Sequence, residues 1–398
     1  MNITIVGGGF GGAKTALELA SNPKNTITLI SDKPDFQYYP ALYGAATGHN
    51  HLESWVPLAE IFTGKRNIHL QVDTIAHIDP DKKELRAESG TVYAYETCIL
   101  ALGSVTTYFG IKGLDTYAFG IKSADEIARL KRHLYEDIAK PGADKHYVVI
   151  GGGPTGVELA AALGSYINLL CEHFEVKNEE VQVDLIEAAP RILPKMHEKT
   201  SRVVLRRLEK LGVDVQVGQA VESASADEIM VSGTPIKSQT VIWTSGVANH
   251  PFYKENANHF TFAPGGRVAV NEYMQASENV YVIGDNAATP YTGLAQTALH
   301  DALFIASNLE RKQKNKPLKK YKAVKPPVVV PVGENWAAFE WHRLRLHGWP
   351  ASLLRRAADF VGYSDVLPLG QALGVWRASL IREDDDFMSK AKNDPSKS

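Results

Sequence analysis

The chain has 398 residues, enough for two or three domains at roughly 150 residues each. Hydrophobic residues make up 44% and charged residues 22%, and 43 basic residues against 45 acidic ones leave a net charge of -2. Disordered, collagen-like and nucleic-acid-coating classes are excluded, and bulk charge selects no partner.

The first predicted element is the strand Ile3–Val6, which Met1 enters almost directly, without a basic leader or apolar signal segment. No stretch approaches the ~18 consecutive apolar residues of a spanning helix, so the expected location is cytoplasmic unless a surface contact holds the chain on a membrane. After the strand come Gly7-Gly-Gly-Phe-Gly-Gly12, a helical pattern from Ala13 to Ala20 and a β-rich run from Thr26 to Ile30. A turn-rich aromatic stretch, Asp35 to Ala46, and short alternating segments lead to Thr97–Gly103, which reads as a buried strand ending at glycine. Asp125 to Ile138 has helical periodicity. The opening pattern then recurs as Val148-Val-Ile-Gly-Gly-Gly-Pro-Thr-Gly156, followed by a helix from Val157 to Leu170 and a strand from Val181 to Ile186. Two βαβ units are implied, hence two parallel, doubly wound sheets in an α/β chain.

Thr240–Gly246 and Val280–Asp285 are further apolar runs stopping at glycine. Both are expected to rejoin the first sheet, making the second domain an insertion in the first. The expected division is a first domain over residues 1–117 and 241–325, a second over 118–240, and a terminal element over 326–398. From Arg311 to Lys325 there are eight basic residues and no acid, which suits a solvated helix end and linker or a lipid-facing patch. Four of the six tryptophans follow, at Trp336, Trp341, Trp349 and Trp376. A helical wheel over Ala351–Gly362 gathers Leu353, Leu354, Ala357, Ala358, Phe360 and Val361 on one side and Arg355, Arg356 and Asp359 opposite. Such a helix covers a core with its apolar side or rests on a bilayer interface. The end of the chain, Glu383 to Ser398, is charged.

Gly7, Gly9 and Gly12, and again Gly151, Gly153 and Gly156, fit G-x-G-x-x-G. One glycine permits the turn, one lets backbone amides approach a pyrophosphate, and one lets helix pack on strand. The fingerprint also wants a strand-end acid for the adenosine ribose. In the second unit Glu187 fills that place and repels the additional phosphate of NADPH, so NADH is expected. In the first unit the place falls at Ser31 or Asp32, and Lys33 beside them is either a surface charge or a cofactor contact. Two dinucleotide folds in one chain argue for two dinucleotides meeting, one of them a flavin. Val280-Tyr-Val-Ile-Gly284-Asp285 resembles the segment in which two-dinucleotide flavoproteins bond an aspartate to the FAD ribityl chain. FAD is therefore assigned to the first domain and NADH to the second.

These motifs resemble the type II NADH:quinone oxidoreductases, within the two-dinucleotide-binding flavoproteins. The matching pieces are the N-terminal motif with Phe10, Ala101-Leu-Gly103-Ser, Ala118–Asp125, Gly151–Ala160, Ile186–Pro194, Ile242-Trp-Thr-Ser-Gly246-Val and Ile283-Gly-Asp285. The resemblance covers roughly residues 1–310. It implies two Rossmann-like domains, FAD and NADH held by these glycine turns with Phe10, Gly103 and Gly246 among the cofactor-binding residues, and a C-terminal helical element that mounts relatives on the membrane. It further implies a quinone acceptor, a homodimer and a peripheral position on the inner face of the cell membrane. The family's AQxAxQ-like stretch appears as Ala295-Gln296-Thr-Ala-Leu-His300, with histidine for the second glutamine. His300 is either a quinone contact and proton donor or a surface helix histidine. Glu158 resembles the carboxylate used in nicotinamide or proton handling, or is a helix N-terminal glutamate.

No metal-binding spacing or nucleophilic triad is found. A sulfide:quinone reductase needs cysteines at the flavin, whereas Cys98 lies in an apolar strand and Cys171 in a long helical run, without CxxC spacing. Two alternatives remain open: a soluble NADH reductase of a ferredoxin or rubredoxin, and a redox-responsive interaction flavoprotein resembling apoptosis-inducing factor.

Overall fold

The strand Asn2–Val6, buried from Ile3 onward and apolar there except for Thr4, occupies the middle of a six-stranded sheet. Thr26–Ser31 and Thr97–Leu100 flank it in parallel, Ile68–Val72 lies beyond the first, and Val280–Val282 beyond the second. Gln275–Ser277 closes that edge antiparallel. The second sheet repeats the plan, with His146–Ile150 between Gln182–Glu187 and Thr240–Trp243, and Val213–Val217 outside. The central strands are buried on both faces and read as largely apolar runs, as parallel sheets covered by helices require, while the edge strands Ile68–Val72 and Val213–Val217 keep exposed polar residues. The computed structural model describes residues 1–140, 145–176 and 181–383; the charged end, 384–398, lies outside the described residues.

Val280–Val282 joins the first sheet as expected, but Thr240–Trp243 does not. It pairs with His146–Ile150, matching Tyr147 to Thr240 and Ile150 to Trp243. The internal duplication explains why. In each sheet the fourth parallel strand follows a three-stranded antiparallel meander: Ile75–Asp79, Glu84–Ala87 and Val92–Ala94 before Thr97–Leu100, and Val221–Ala224, Glu228–Val231 and Thr234–Lys237 before Thr240–Trp243. Thr240–Trp243 is thus the counterpart of Thr97–Leu100, and the second sheet extends beyond residue 240. The two units are tied by a short antiparallel pair, Ser104–Thr106 with Val247–Asn249.

Helix Phe10–Leu19 packs against Ala295–Gln313 over the first sheet, and Ala124–Ala139 against Pro154–Phe174 over the second. The start of Ala124–Ala139 is fixed by a capping box: Glu126 N–H donates to Ser123 Oγ, and the Glu126 carboxylate accepts from Ser123 N–H. The lysine-rich segment after Gln313 runs back along its own helix. Asn308 clamps Lys319 by two bonds, Tyr321 OH donates to Asp301, and Lys320 pairs with Glu272.

The terminal element is not purely helical. Three antiparallel strands, Val328–Pro331, Ala337–Trp341 and Leu344–Gly348, precede the helices Trp349–Ser364 and Leu369–Ala378. The first of these helices is turned opposite to a core-covering one. Its charged side faces the protein, with Arg355 only 8% exposed, while Leu353 is 52% and Val361 58% exposed. The wheel placed Arg355 and Asp359 opposite the apolar residues, and buried ion-pair partners on other elements turn these two inward, while Arg356 beside them stays exposed. Among the described residues no helix is long and apolar enough to cross a membrane.

Candidate active site

The two glycine turns are built alike. Gly7 and Gly151 have φ of +109° and +114°, and their N–H groups donate to the Ile30 and Ile186 carbonyls at 2.8 Å. A Cβ on Gly7 would strike the Ala101 carbonyl, one on Gly151 the Ser245 hydroxyl, and one on Gly12 or Gly156 the carbonyl of the glycine that opens its own turn. The middle glycines differ: a Cβ on Gly9 or Gly153 would meet nothing within 4 Å. Each is the N-cap of a helix whose first amides receive no capping side chain. Rigid close packing on two sides and an open, donor-rich third side suit a diphosphate. Residue types and geometry therefore fit one dinucleotide at each turn. Phe10 contributes only its backbone there, since its ring is buried against Phe36 and Tyr38.

Register settles the equivalence of the strand ends. Val6 is opposite Ile30 and Ile150 opposite Ile186, so Ser31 corresponds to Glu187. Glu187 accepts from Gly152 N–H and Ala189 N–H, both at 2.6 Å, which fixes its carboxylate against the glycine turn. Ser31 is buried against Gly8, and its Oγ accepts from Lys33 N–H at 3.3 Å. Asp32 and Lys33 are exposed just beyond it.

The carboxyl end of the first sheet gathers Gly7, Gly103 and Gly284. Ala101 N–H donates to Val6 and Ile283 N–H to Leu100, which brings all three chain crossings side by side. Asp285 lies in the turn Gly284–Asn286; its Oδ2 accepts from Ser104 Oγ at 2.7 Å and its carbonyl from Arg267 Nε at 2.9 Å. Gly284 N–H is held at 3.0 Å by the fully buried Asp301. In the second unit Gly246 has φ +75° beside the Phe109 ring. Gln296 is exposed in the first turn of Ala295–Gln313, close in sequence to this edge. His300 follows one turn later on the same helix; its Nε2 bonds the Lys322 carbonyl at 2.9 Å, so the ring fastens the returning lysine-rich segment. Arg267, Asp301 and Tyr321, which support the Asp285 turn, carry no motif that marks them in sequence.

Glu158 sits one turn into Pro154–Phe174 and meets the terminal helix. Arg355 Nη1 is 3.5 Å from Glu158 Oε1, Arg355 Nε bonds Asp359 Oδ2 at 2.8 Å, and Nη2 donates to the Pro40 carbonyl. Burial pushes the Glu158 carboxyl up to about 8, against the opposing pull of Arg355. Tyr38, stacked on Tyr363 at 4.2 Å, donates to Asp359 and links this cluster to Phe10. Cys98 and Cys171 are buried apart in a sheet strand and a helix, and burial raises the Cys98 thiol.

Two glycine turns at the carboxyl ends of two parallel sheets define a two-nucleotide oxidoreductase fold, and the chain belongs to the pyridine nucleotide-disulphide oxidoreductase family, which matches residues 1–302. More particularly, it is 24% identical over 381 residues to the type II NADH:quinone oxidoreductase of Staphylococcus saprophyticus, covering 90% of this chain and 94% of that protein. It is 29% identical over 337 residues to the type II NADH:quinone oxidoreductase Ndh of Mycobacterium tuberculosis, covering 77% and 72%. The structure of NDH2 from Plasmodium falciparum in complex with NADH has the same fold, with a TM-score of 0.86, 17% identity and coverage of 95% and 97% of the two chains.

Proposed function

We propose that this chain is an FAD-dependent NADH:quinone oxidoreductase that works on the inner surface of the cell membrane. The reaction consumes NADH, one proton and a quinone and releases NAD⁺ and a quinol. When bound, FAD supplies the two-electron relay between the two substrates. The residues of the chain hold, orient and protonate. The amides beginning Phe10–Leu19 receive the FAD diphosphate through the open side of Gly9, and Asp285, oriented by Ser104, receives the ribityl hydroxyls. The second turn receives NADH at Gly153, with Glu187 accepting from its adenosine ribose and opposing a 2′-phosphate. Asp32, just past the buried Ser31, reaches the FAD ribose side. Glu158, kept neutral by burial at pH 7, holds a proton at its carboxyl oxygen beside Arg355.

The observation that carries the quinone acceptor is the outward apolar side of the terminal helices. Trp349 is 68% and Leu369 70% exposed, and Leu353 and Val361 lie on the same side as Trp349. A lipid surface covers such a side and supplies an apolar acceptor from the same medium. Exposed Lys312, Lys314, Lys316 and Lys319 add attraction to anionic lipid.

Anaerobic stopped-flow tests the reading: NADH should bleach the flavin rapidly, NADPH weakly, and a short-chain quinone should restore colour at a catalytic rate. Fast bleaching with slow recovery sinks the quinone acceptor. Failure to pellet with anionic liposomes at low salt sinks the membrane position.

A further inference from the structure

Under the helix Trp349–Ser364 lies a cavity of about 330 Å³, walled by Leu42–Ala46, Pro154–Phe174, the strand ends Pro331 and Ala337, that helix, and Ser379 to Arg382 beyond the last one. Glu53 lines it from the loop after Leu42–Ala46. Its residue is 4% exposed, and Oε1 is buried against Gly44 without a hydrogen-bond partner. Around it stand charges from every neighbouring element. Arg355 and Asp359 approach from the terminal helix, and Glu158 meets the far side of Arg355. His49 Nδ1 is 4.0 Å from Glu53 Oε2 and 3.2 Å from the Ser379 carbonyl. Tyr43 lines the wall, and Tyr363 OH donates to the carbonyl of Glu53. At the rim Arg382 is committed to Glu334 and Arg356 to Asn335.

Three carboxylates therefore share one guanidinium. With all three ionised, the cluster carries two negative charges in excess, and protonating His49 offsets only one of them. In a largely buried setting an unpaired carboxylate is costly, and the cheap remedy is a bound proton. Glu158 holds one proton at pH 7, which leaves Glu53 and Asp359 against Arg355, and Glu53 is the member better suited to hold a second. Asp359 bonds Arg355 directly, whereas Glu53 Oε1 has no hydrogen-bond partner among the described residues. Burial, and next the charge of Asp359, raises Glu53 well above the ordinary carboxylate range.

We propose that Glu53 is a proton store, protonated in the resting enzyme at neutral pH, whose proton crosses the cavity to refill Glu158 beside Arg355 once Glu158 has given up its own during turnover. The delivery step rests on the quinone reading above; the store itself does not. The bookkeeping closes without a further reactant. Glu158 gives its proton to the quinol, whose other proton and electron pair derive from the hydride of NADH; the O–H bond at Glu53 then breaks to reprotonate Glu158, and Glu53 is reprotonated from solvent through the cavity mouth.

The test is infrared spectroscopy of the purified holoenzyme without quinone, over a pH series. In E158Q, where Glu158 contributes no carboxyl, a protonated-carboxyl C=O band should be present at neutral pH; it should persist in E158Q/E53D and vanish in E158Q/E53Q. Its absence from E158Q, or its survival in E158Q/E53Q, overturns the store. In single turnovers E53Q should slow quinone-driven flavin reoxidation about tenfold and flatten its pH profile, without a matching loss for ferricyanide, which takes electrons alone. Equal losses with both acceptors overturn the delivery. A band in E158Q together with inert quinones in the wild type overturns the acceptor reading while the store stands.

Discussion

Arg355 Nη1 lies 3.5 Å from Glu158 Oε1, so a cation on the terminal helix is buried against a carboxylate of the second nucleotide unit. The same guanidinium bonds Asp359 at 2.8 Å and the Pro40 carbonyl at 2.7 Å. Removing it leaves carboxylates buried together without a counterion. Arg355→Met should destabilise the fold by about 3–5 kcal/mol, whereas D359N, which leaves the cation and removes one negative charge, should cost less. Thermal denaturation of the two variants checks the order.

Stability should fall as pH rises through the range set by Glu158. Burial raises this carboxyl from 4.5 to about 8 in the folded chain, so between those values the native state holds a proton that the unfolded state has released. Stability from this group is complete below the unfolded value and is lost on passing the folded one. E158Q should flatten that slope. Denaturant midpoints measured across neutral pH test it; equal slopes in both proteins would refute the shift.

What could be read before the fold was known follows from which residues the backbone itself demands. Gly12 and Gly156 are fixed by collisions within their own turns and Gly7 and Gly151 by their positive φ, so both nucleotide units were legible from spacing alone. The buried cluster was not. Glu53, Glu158 and Arg355 are separated by more than a hundred residues at each step, and no local pattern links them. The wheel over Ala351–Gly362 separated charge from apolar side chains, but the inward direction depends on Tyr38, Pro40 and Glu158. Thr240–Trp243 has the composition of a strand in either sheet; its place followed from the duplicated meander, a longer period than the glycine motif. Which residue fills the strand-end position was a matter of register: Val6 opposite Ile30 puts Ser31 there, with Asp32 one residue beyond.

The two glycines of the first turn should fail in different ways. Gly9 faces open space, so G9A should fold normally and lose FAD affinity by about tenfold, because a methyl stands where the diphosphate must approach. Gly12 faces the Gly7 carbonyl, so G12A should destabilise the domain itself by about 1–3 kcal/mol. Flavin retention on desalting, compared with melting of the apoprotein, separates the two outcomes.

Nucleotide choice should follow Glu187. Its carboxylate is pinned by two backbone N–H groups, and Gln at that position keeps an oxygen for one of them while removing the charge. E187Q should raise the NADPH to NADH ratio of kcat/KM by about tenfold, mainly through NADPH. An unchanged ratio would place the discrimination elsewhere.

The terminal helix offers the last test, because its polarity is inverted relative to a helix that seals a core. Leu353 and Val361 are 52% and 58% exposed, and covering that remaining half with an apolar medium contributes about 1 kcal/mol each. Replacing both by Asp should leave melting nearly unchanged, since neither supports the interior. The same pair should lower partition onto anionic vesicles by at least about tenfold, adding charge to the lost apolar area. Flotation with and without high salt measures this. Arg355→Met should lower melting at once, because the inner side of the helix carries its attachment. Equal flotation of the double variant and the wild type would show that the outward side meets something other than lipid.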